Sequence, residues 1–224
     1  MMTKFVQAFV KVTGWLPQKL VFRTKIYYED RTRMGRRIQG PAILISNHTS
    51  VFDYAVLLFV FFSRTLYYQM AELLFKKKFL HIFLPLMGGI RVDRGANEFG
   101  FMARSEEILR RGGVVGVFPE GRLPRAGETR PLPFGPGAAF IAFSTGAPII
   151  PVYTDGAYFG RQRARVIIGT PLYPETLVDA KLTQKENIQR INTAMREKIV
   201  RLEEQLNERK KEAKSAVFLS ILAA

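Results

Sequence analysis

The stretch Asn47-His48-Thr49-Ser50-Val51-Phe52-Asp53 sets an imidazole five positions ahead of a carboxylate, directly after the apolar run Ala42–Ser46. Such a run suits a buried strand, and a loop at its end exposes His48 at the sheet's edge. A turn or a first helical coil then brings Asp53 back to the ring. A carboxylate on one ring nitrogen fixes the tautomer and stabilises the imidazolium, leaving the other nitrogen to accept a proton. The chain offers this pair no nucleophile of its own, since it has no Cys and no G-x-S-x-G elbow. The nucleophile would then be a substrate hydroxyl. Taken alone, the same residues also suit a loop capped by Asn47 or Asp53 with an incidental histidine.

Two further clusters carry groups for binding. In Phe118-Pro119-Glu120-Gly121-Arg122 the carboxylate can bind a hydroxyl or orient a basic group, and Gly121 permits close backbone approach. Arg122 and Arg125 offer forks for phosphate. In Gly88-Gly89-Ile90-Arg91-Val92-Asp93-Arg94, strand alternation sends Ile90 and Val92 to one face and Arg91 and Asp93 to the other. Arg94 leaves the strand where a phosphate is readily met; a plain Arg–Asp surface pair has the same composition.

These loops need a scaffold, and the apolar patterning supplies one. Strands are expected over 42–46, 66–70, 89–92, 114–118, 149–153 and 165–168, and helices over 53–62, 98–111 and 138–144. Residues 72–85 form a basic amphipathic segment around Lys76, Lys77 and Lys78. A long helix over 183–214 starts with Thr183 and Glu186 at capping-box spacing. Its stripe is Ile188, Ile191, Met195, Ile199, Leu202 and Leu206. Alternating strands and helices imply one α/β domain whose central sheet, mixed or mostly parallel, is covered by helices. The expected organisation is an N-terminal segment at 1–37, a core at 38–182, and a C-terminal helix with an apolar tail at 183–224, part of the same domain.

Charge narrows the partners. The 224 residues carry a net charge of +15, so the surface seeks an anion. Residues 1–40 hold nine Lys or Arg against Glu29 and Asp30, which is +7 of that excess. Interleaved are Phe5, Phe9, Trp15, Leu16 and Leu20, with Pro17 breaking the run. Two short apolar helices with basic flanks resemble an interfacial membrane anchor; the alternative is a helix packed on the core. The longest uncharged run, between Arg130 and Asp155, is interrupted by Pro131, Pro133, Pro136, Pro148 and Pro151, so it is not read as a span. Two histidines and no Cys leave no expected metal centre. Nucleic acid is not expected either, because the Phe and Tyr residues sit in apolar runs without the basic flanks that base stacking favours.

Taken together and in order, NHTSVFD, GGIRVDR, FPEGR and PIIPV resemble the four motif blocks of the glycerolipid acyltransferase family, over roughly residues 38–170. The resemblance implies His48 as general base and Asp53 as its orienting partner. It implies acceptor-binding positions at Asn47, Arg94, Glu120, Gly121 and Arg122, with Pro151 shaping the pocket. The implied reaction moves a fatty acyl group from acyl-CoA or acyl-carrier protein to a lysophospholipid hydroxyl, with 1-acylglycerol-3-phosphate giving phosphatidic acid. No cofactor is implied, and the implied place is the cytoplasmic face of an anionic membrane, peripheral or monotopic. Backbone N–H groups of the His48 loop or of Gly121 are expected to meet the oxyanion. Two departures from the family pattern bear on the acceptor. Arg122 follows Glu-Gly directly, where the family has Thr or Ser first. Phe134-Gly135-Pro136-Gly137 lacks the lysine of the family's Phe-Lys-x-Gly. An acceptor with another head group is the alternative.

Overall fold

The computed structural model describes residues 2–93, 100–159 and 163–222. The chain opens with α1 (Met2–Thr13), α2 (Trp15–Val21) and β1 (Lys25–Tyr28). The central run is β2 (Ala42–Ser46), α3 (Asp53–Val60), β3 (Leu66–Ala71), α4 (Glu72–Phe75), α5 (Lys78–Leu86) and β4 (Gly89–Val92). It closes with α6 (Gly100–Arg110), β5 (Val114–Val117), α7 (Gly137–Thr145), β6 (Ile149–Thr154), β7 (Arg165–Ile168) and α8 (Gln184–Leu222).

The strands form one seven-stranded sheet in the order β1-β7-β6-β2-β5-β3-β4. Every pairing is parallel except β6 with β7. β2 and β5 are buried along their whole length, as strands covered by helices on both faces must be. Leu44 points into one core with Val56, Leu57 and Val60 of α3 and Leu84 of α5. Ile43 and Ile45 point into the other, with Ile141 of α7 and Ile191, Met195, Ile199 and Leu202 of α8. Each such fully buried side chain contributes about 1.5–3 kcal/mol relative to an exposed one. The capping box forms as expected: Thr183 N donates to Glu186 Oε2 at 2.7 Å, and Glu186 N donates to Thr183 Oγ1 at 3.3 Å.

Four features differ from the sequence reading. β1 joins the sheet as an edge strand; its short half-exposed KIYY gives little period-2 signal, and its pairing to β7 is a tertiary contact. Pro17 does not break the N-terminal run, because it lies in the first turn of α2, where no N–H is needed; the break is at Gly14. The segment 72–85 splits into α4 and α5 at Lys76 and Lys77. α8 continues to Leu222, through most of the apolar tail.

α1 is docked by its polar side. Gln7 is 1% exposed and Lys11 3%, whereas Phe5 is 74% exposed and Phe9 62%. Gln7 Nε2 donates to the carbonyls of Leu66 and Met87 at 2.6 and 2.8 Å, and its Oε1 accepts Leu66 N at 3.0 Å. Lys11 Nζ donates to the carbonyls of Phe61, Phe62 and Arg64, beyond the C-terminal end of α3. Burial pulls that ammonium down to about 8. No helix among the described residues is long and apolar enough to cross a membrane.

Candidate active site

β2 ends at Ser46, and the loop that follows carries the reactive pair. His48 Nδ1 lies 2.8 Å from Asp53 Oδ2; the imidazole is 20% exposed and the carboxylate fully buried. A carboxylate accepts, so Nδ1 carries the proton and Nε2 is the lone-pair nitrogen. Nε2 has no hydrogen-bond partner among the described residues. The ring stacks on Phe118 with centroids 4.2 Å apart and planes 10° from parallel. Phe118 in turn leans on Tyr68, which fills the space above Gly116 of β5. A Cβ at Gly116 would lie 2.2 Å from the Tyr68 ring, so the glycine is what lets the tyrosine support the stack.

Asp53 opens α3, and four groups besides His48 hold it. Oδ2 accepts the backbone N–H of Thr49 at 2.7 Å and of Ser50 at 2.9 Å; Oδ1 accepts Thr49 Oγ1 at 2.9 Å and the Tyr158 hydroxyl. Burial alone would raise this carboxyl. The hydrogen bonds from His48, Tyr158, Ser50 and Thr49 outweigh it and hold the group below the ordinary aspartate range. Asp53 therefore stays ionised and keeps His48 in one tautomer.

Glu120 ties the second loop to the first. Oε1 accepts the backbone N–H of His48 at 2.9 Å, and Oε2 accepts that of Leu132 at 3.0 Å. Burial raises this carboxyl despite those two bonds. Through these two bonds Glu120 positions the His48 backbone and ties the two loops together. Asn47 is likewise occupied: its Nδ2 donates to Thr154 O and its Oδ1 accepts Thr154 N, both at 2.9 Å, fastening the loop to the end of β6.

The remaining expected positions divide. Pro151 is buried inside β6, in register with Ile45, three residues before the Thr154 that Asn47 grips. Arg122 is exposed beside the Glu120 loop and forms a two-pronged pair with Glu128, both contacts at 2.7 Å. Gly121 sits at φ +69°, and its N–H donates to Phe118 O at 2.9 Å. Arg94 lies outside the described residues; the neighbouring Arg91 pairs with Glu72 and Asp93. The N–H groups of His48, Thr49, Ser50 and Gly121 all donate within the protein, so the fold has already assigned them. At Gly135 a Cβ would meet only Pro119 O, at 3.7 Å, so crowding is not the reason the family's lysine is absent.

Tyr158 is the partner the sequence did not disclose. It arrives from the turn after β6, where Gly156, at φ +68°, passes so close to Thr49 that a Cβ would lie 2.6 Å from Oγ1. No spacing within the motif signals it, because it stands 105 positions from Asp53. Thr49 lies inside the first motif block and Phe118 at the end of the strand expected over 114–118, and neither residue's type announces its contact with the pair. Among the described residues no group of three or more His, Asp or Glu is placed to hold a metal ion.

Comparison with known proteins places the chain in a family. A family model described as Acyltransferase matches residues 23–155, from just ahead of β1 to just past β6. The chain is 29% identical over 148 residues to a 1-acyl-sn-glycerol-3-phosphate acyltransferase of Bacillus subtilis, covering 64% of this chain and 71% of that one. It is 29% identical over 147 residues to the human 1-acyl-sn-glycerol-3-phosphate acyltransferase beta, of which it spans only 51%. The crystal structure of the 1-acyl-sn-glycerophosphate (LPA) acyltransferase PlsC from Thermotoga maritima superposes with a TM-score of 0.59 at 20% identity, over 87% of this chain and 80% of that one, and so shares the fold. The extent of the family match, over more than half of the chain and across the His–Asp pair and the Glu120 loop, makes the assignment: the chain belongs to the acyltransferase family.

Proposed function

We propose that the protein transfers a fatty acyl group from an acyl-CoA or acyl-carrier-protein thioester to the free hydroxyl of a lysophospholipid. The acceptor is 1-acylglycerol-3-phosphate and the product phosphatidic acid. The observation that carries this reading is the His48–Asp53 pair, in which Nδ1 is held by the carboxylate and Nε2 is left to face a substrate hydroxyl. Nε2 takes the proton of the acceptor hydroxyl as its oxygen attacks the thioester carbonyl. A C–O bond forms and the carbonyl electrons move onto oxygen. When the tetrahedral adduct collapses, the C–S bond breaks and the imidazolium returns the proton to the leaving thiolate. Asp53 holds the ring throughout. Positioned acid–base help of this kind is worth about 10²–10⁴-fold. No cofactor beyond the donor enters this chemistry.

Arg122, Gly121 and Arg94 are the candidates for the acceptor's phosphate, while Glu120, Asn47 and Pro151 set the loops around it. The apolar face of α1, turned outward while Gln7 and Lys11 face the core, supports attachment to the cytoplasmic face of an anionic bilayer without crossing it. The Arg122–Glu128 pair favours a second reading, an acceptor with another head group, because phosphate must displace a carboxylate already in place. Purified protein, labelled acyl donor and a panel of lysolipids test both. Acylation of 1-acylglycerol-3-phosphate supports the first reading, acylation only of other lysolipids the second, and no acylation at all rejects the reaction.

A further inference from the structure

A groove of about 830 Å³ lies apart from His48. It runs beside α3, between that helix and α2. The apolar part of its wall is formed by Trp15, Ile26, Val56, Phe59, Val60 and Phe62, with Gln18, Thr24 and Ser63 among them. Around them stand five cations, Lys19, Arg23, Arg36, Arg37 and Arg163, and no carboxylate of the described residues lines it. Arg36 donates to the carbonyls of Val60 and Phe59, capping α3. Arg23, Arg37 and Arg163 have no ion-pair partner among the described residues.

Two details mark the upper end of the groove as built. Arg23 has φ +46°, the one non-glycine residue with positive φ among those described. Such a conformation is strained for a side-chain-bearing residue and persists only where its surroundings impose it. Beside it, Thr24 Oγ1 is buried without a hydrogen-bond partner. This end is close to the chemistry. Phe22, next to Arg23, packs edge-on against Tyr158 at 5.7 Å, and Tyr158 holds Asp53. Val56 lies less than one helical turn along α3 from Asp53, about 5 Å of rise.

We propose that this groove holds the 3′-phosphoadenosine diphosphate end of an acyl-CoA donor, a step that rests on the acyl-transfer reading and names its donor. A ribose phosphate and a diphosphate carry roughly four negative charges at neutral pH, which matches a cluster of five cations. A phospholipid headgroup with one phosphate leaves most of that charge unanswered. A concave site of this volume suits a nucleotide-sized group, whereas an acidic carrier protein would need a convex basic face. Trp15 supplies an aromatic surface for the base, with Lys19 Nζ 3.8 Å from its ring centroid. From the Arg23 end, the pantetheine arm runs past Phe22 toward the His48 loop.

The test is direct binding of free CoA and of 3′,5′-ADP to the full chain, with donor and acceptor KM values measured in parallel. The variants are Arg37→Ala, Arg163→Ala and their double; both side chains are exposed and neither has a described hydrogen bond, and thermal melts check the fold. The double variant is expected to weaken CoA binding and raise the acyl-CoA KM by about tenfold or more, with the lysolipid KM moving much less. Lysine at both positions restores part of the loss. CoA binding indifferent to both substitutions overturns the proposal. So does a loss confined to phosphatidylglycerol vesicles, or a KM rise confined to an acyl-carrier-protein donor. A wild-type protein that binds CoA through these arginines yet acylates no lysolipid would leave the groove assigned and reject the reaction instead.

Discussion

Tyr158 donates its hydroxyl to Oδ1 of Asp53, the same carboxylate whose Oδ2 holds the His48 ring. The two residues reach Asp53 from different ends of the chain, one from the loop after β2 and the other from the turn after β6. The dyad is therefore closed by the sheet, through the neighbouring placement of two parallel strands, and not by the motif alone.

Tyr158→Phe tests that closure. It keeps the ring packed on Phe22 and removes one buried hydrogen bond to a charged group, worth about 1–3 kcal/mol. Thr49 Oγ1 remains on the same oxygen, so the expected result is a kcat lowered by about tenfold at unchanged KM for both substrates. A kcat equal to wild type would show that Thr49 and the backbone suffice. Tyr158 is a positioning residue, and the split between kcat and KM is the readout.

Arg122 and Glu128 give a prediction of opposite sign. If Arg122 receives the acceptor phosphate, Glu128 competes for it in the free enzyme. Glu128→Gln is then expected to lower the lysolipid KM, and Arg122→Ala to raise it. Steady-state kinetics on both variants decide; parallel changes in the two, or none, would remove Arg122 from the acceptor site.

The membrane reading is best tested at the outward face of α1. Phe5→Ser with Phe9→Ser leaves the Gln7 and Lys11 contacts in place and is expected to reduce sedimentation with anionic vesicles severalfold. Truncating α1 is a poorer test, because it would strip partners from the carbonyls of Leu66, Met87 and Phe62. Undiminished vesicle binding by the double variant would point away from this face.

A stability prediction concerns the far side of the sheet. Lys198 of α8 lies 2.7 Å from Glu29, just past β1, and both contact Thr170. Burial would raise the Glu29 carboxyl, but Lys198 and Thr170 outweigh it and hold it below the usual range. A depressed folded-state value stabilises the fold above the ordinary glutamate pKa, and that contribution is lost as pH falls through the lowered value. Lys198→Met should cost about 2 kcal/mol at neutral pH. Urea midpoints for the two proteins should converge as pH drops toward 3, and a gap independent of pH would contradict the assignment.

How much of this was legible in the sequence depends on whether the signal was local. The buried strands announced themselves through runs such as AILIS and VVGV, and α8 through its stripe and capping box. His48 and Asp53 were legible because five residues suffice to return a carboxylate to a ring. The role of Glu120 was only half legible: its loop was singled out, but that both oxygens would serve backbone N–H groups depends on β2 and β5 being neighbours. Tyr158 and β1 gave no local signal, since each acts through a contact set by strand order. The outward apolar face of α1 was visible as composition, but its polar docking side required knowing that Gln7 meets β3 and Lys11 the end of α3.

The most direct measurement of the central claim is acyl transfer by His48→Ala. The variant should melt within a few degrees of wild type and retain donor binding, because the ring is partly exposed and the loop is held by Asn47, Glu120 and Asp53. Its kcat should fall by about 10³-fold or more. A folded His48→Ala protein that acylates lysolipid at the wild-type rate would contradict the account.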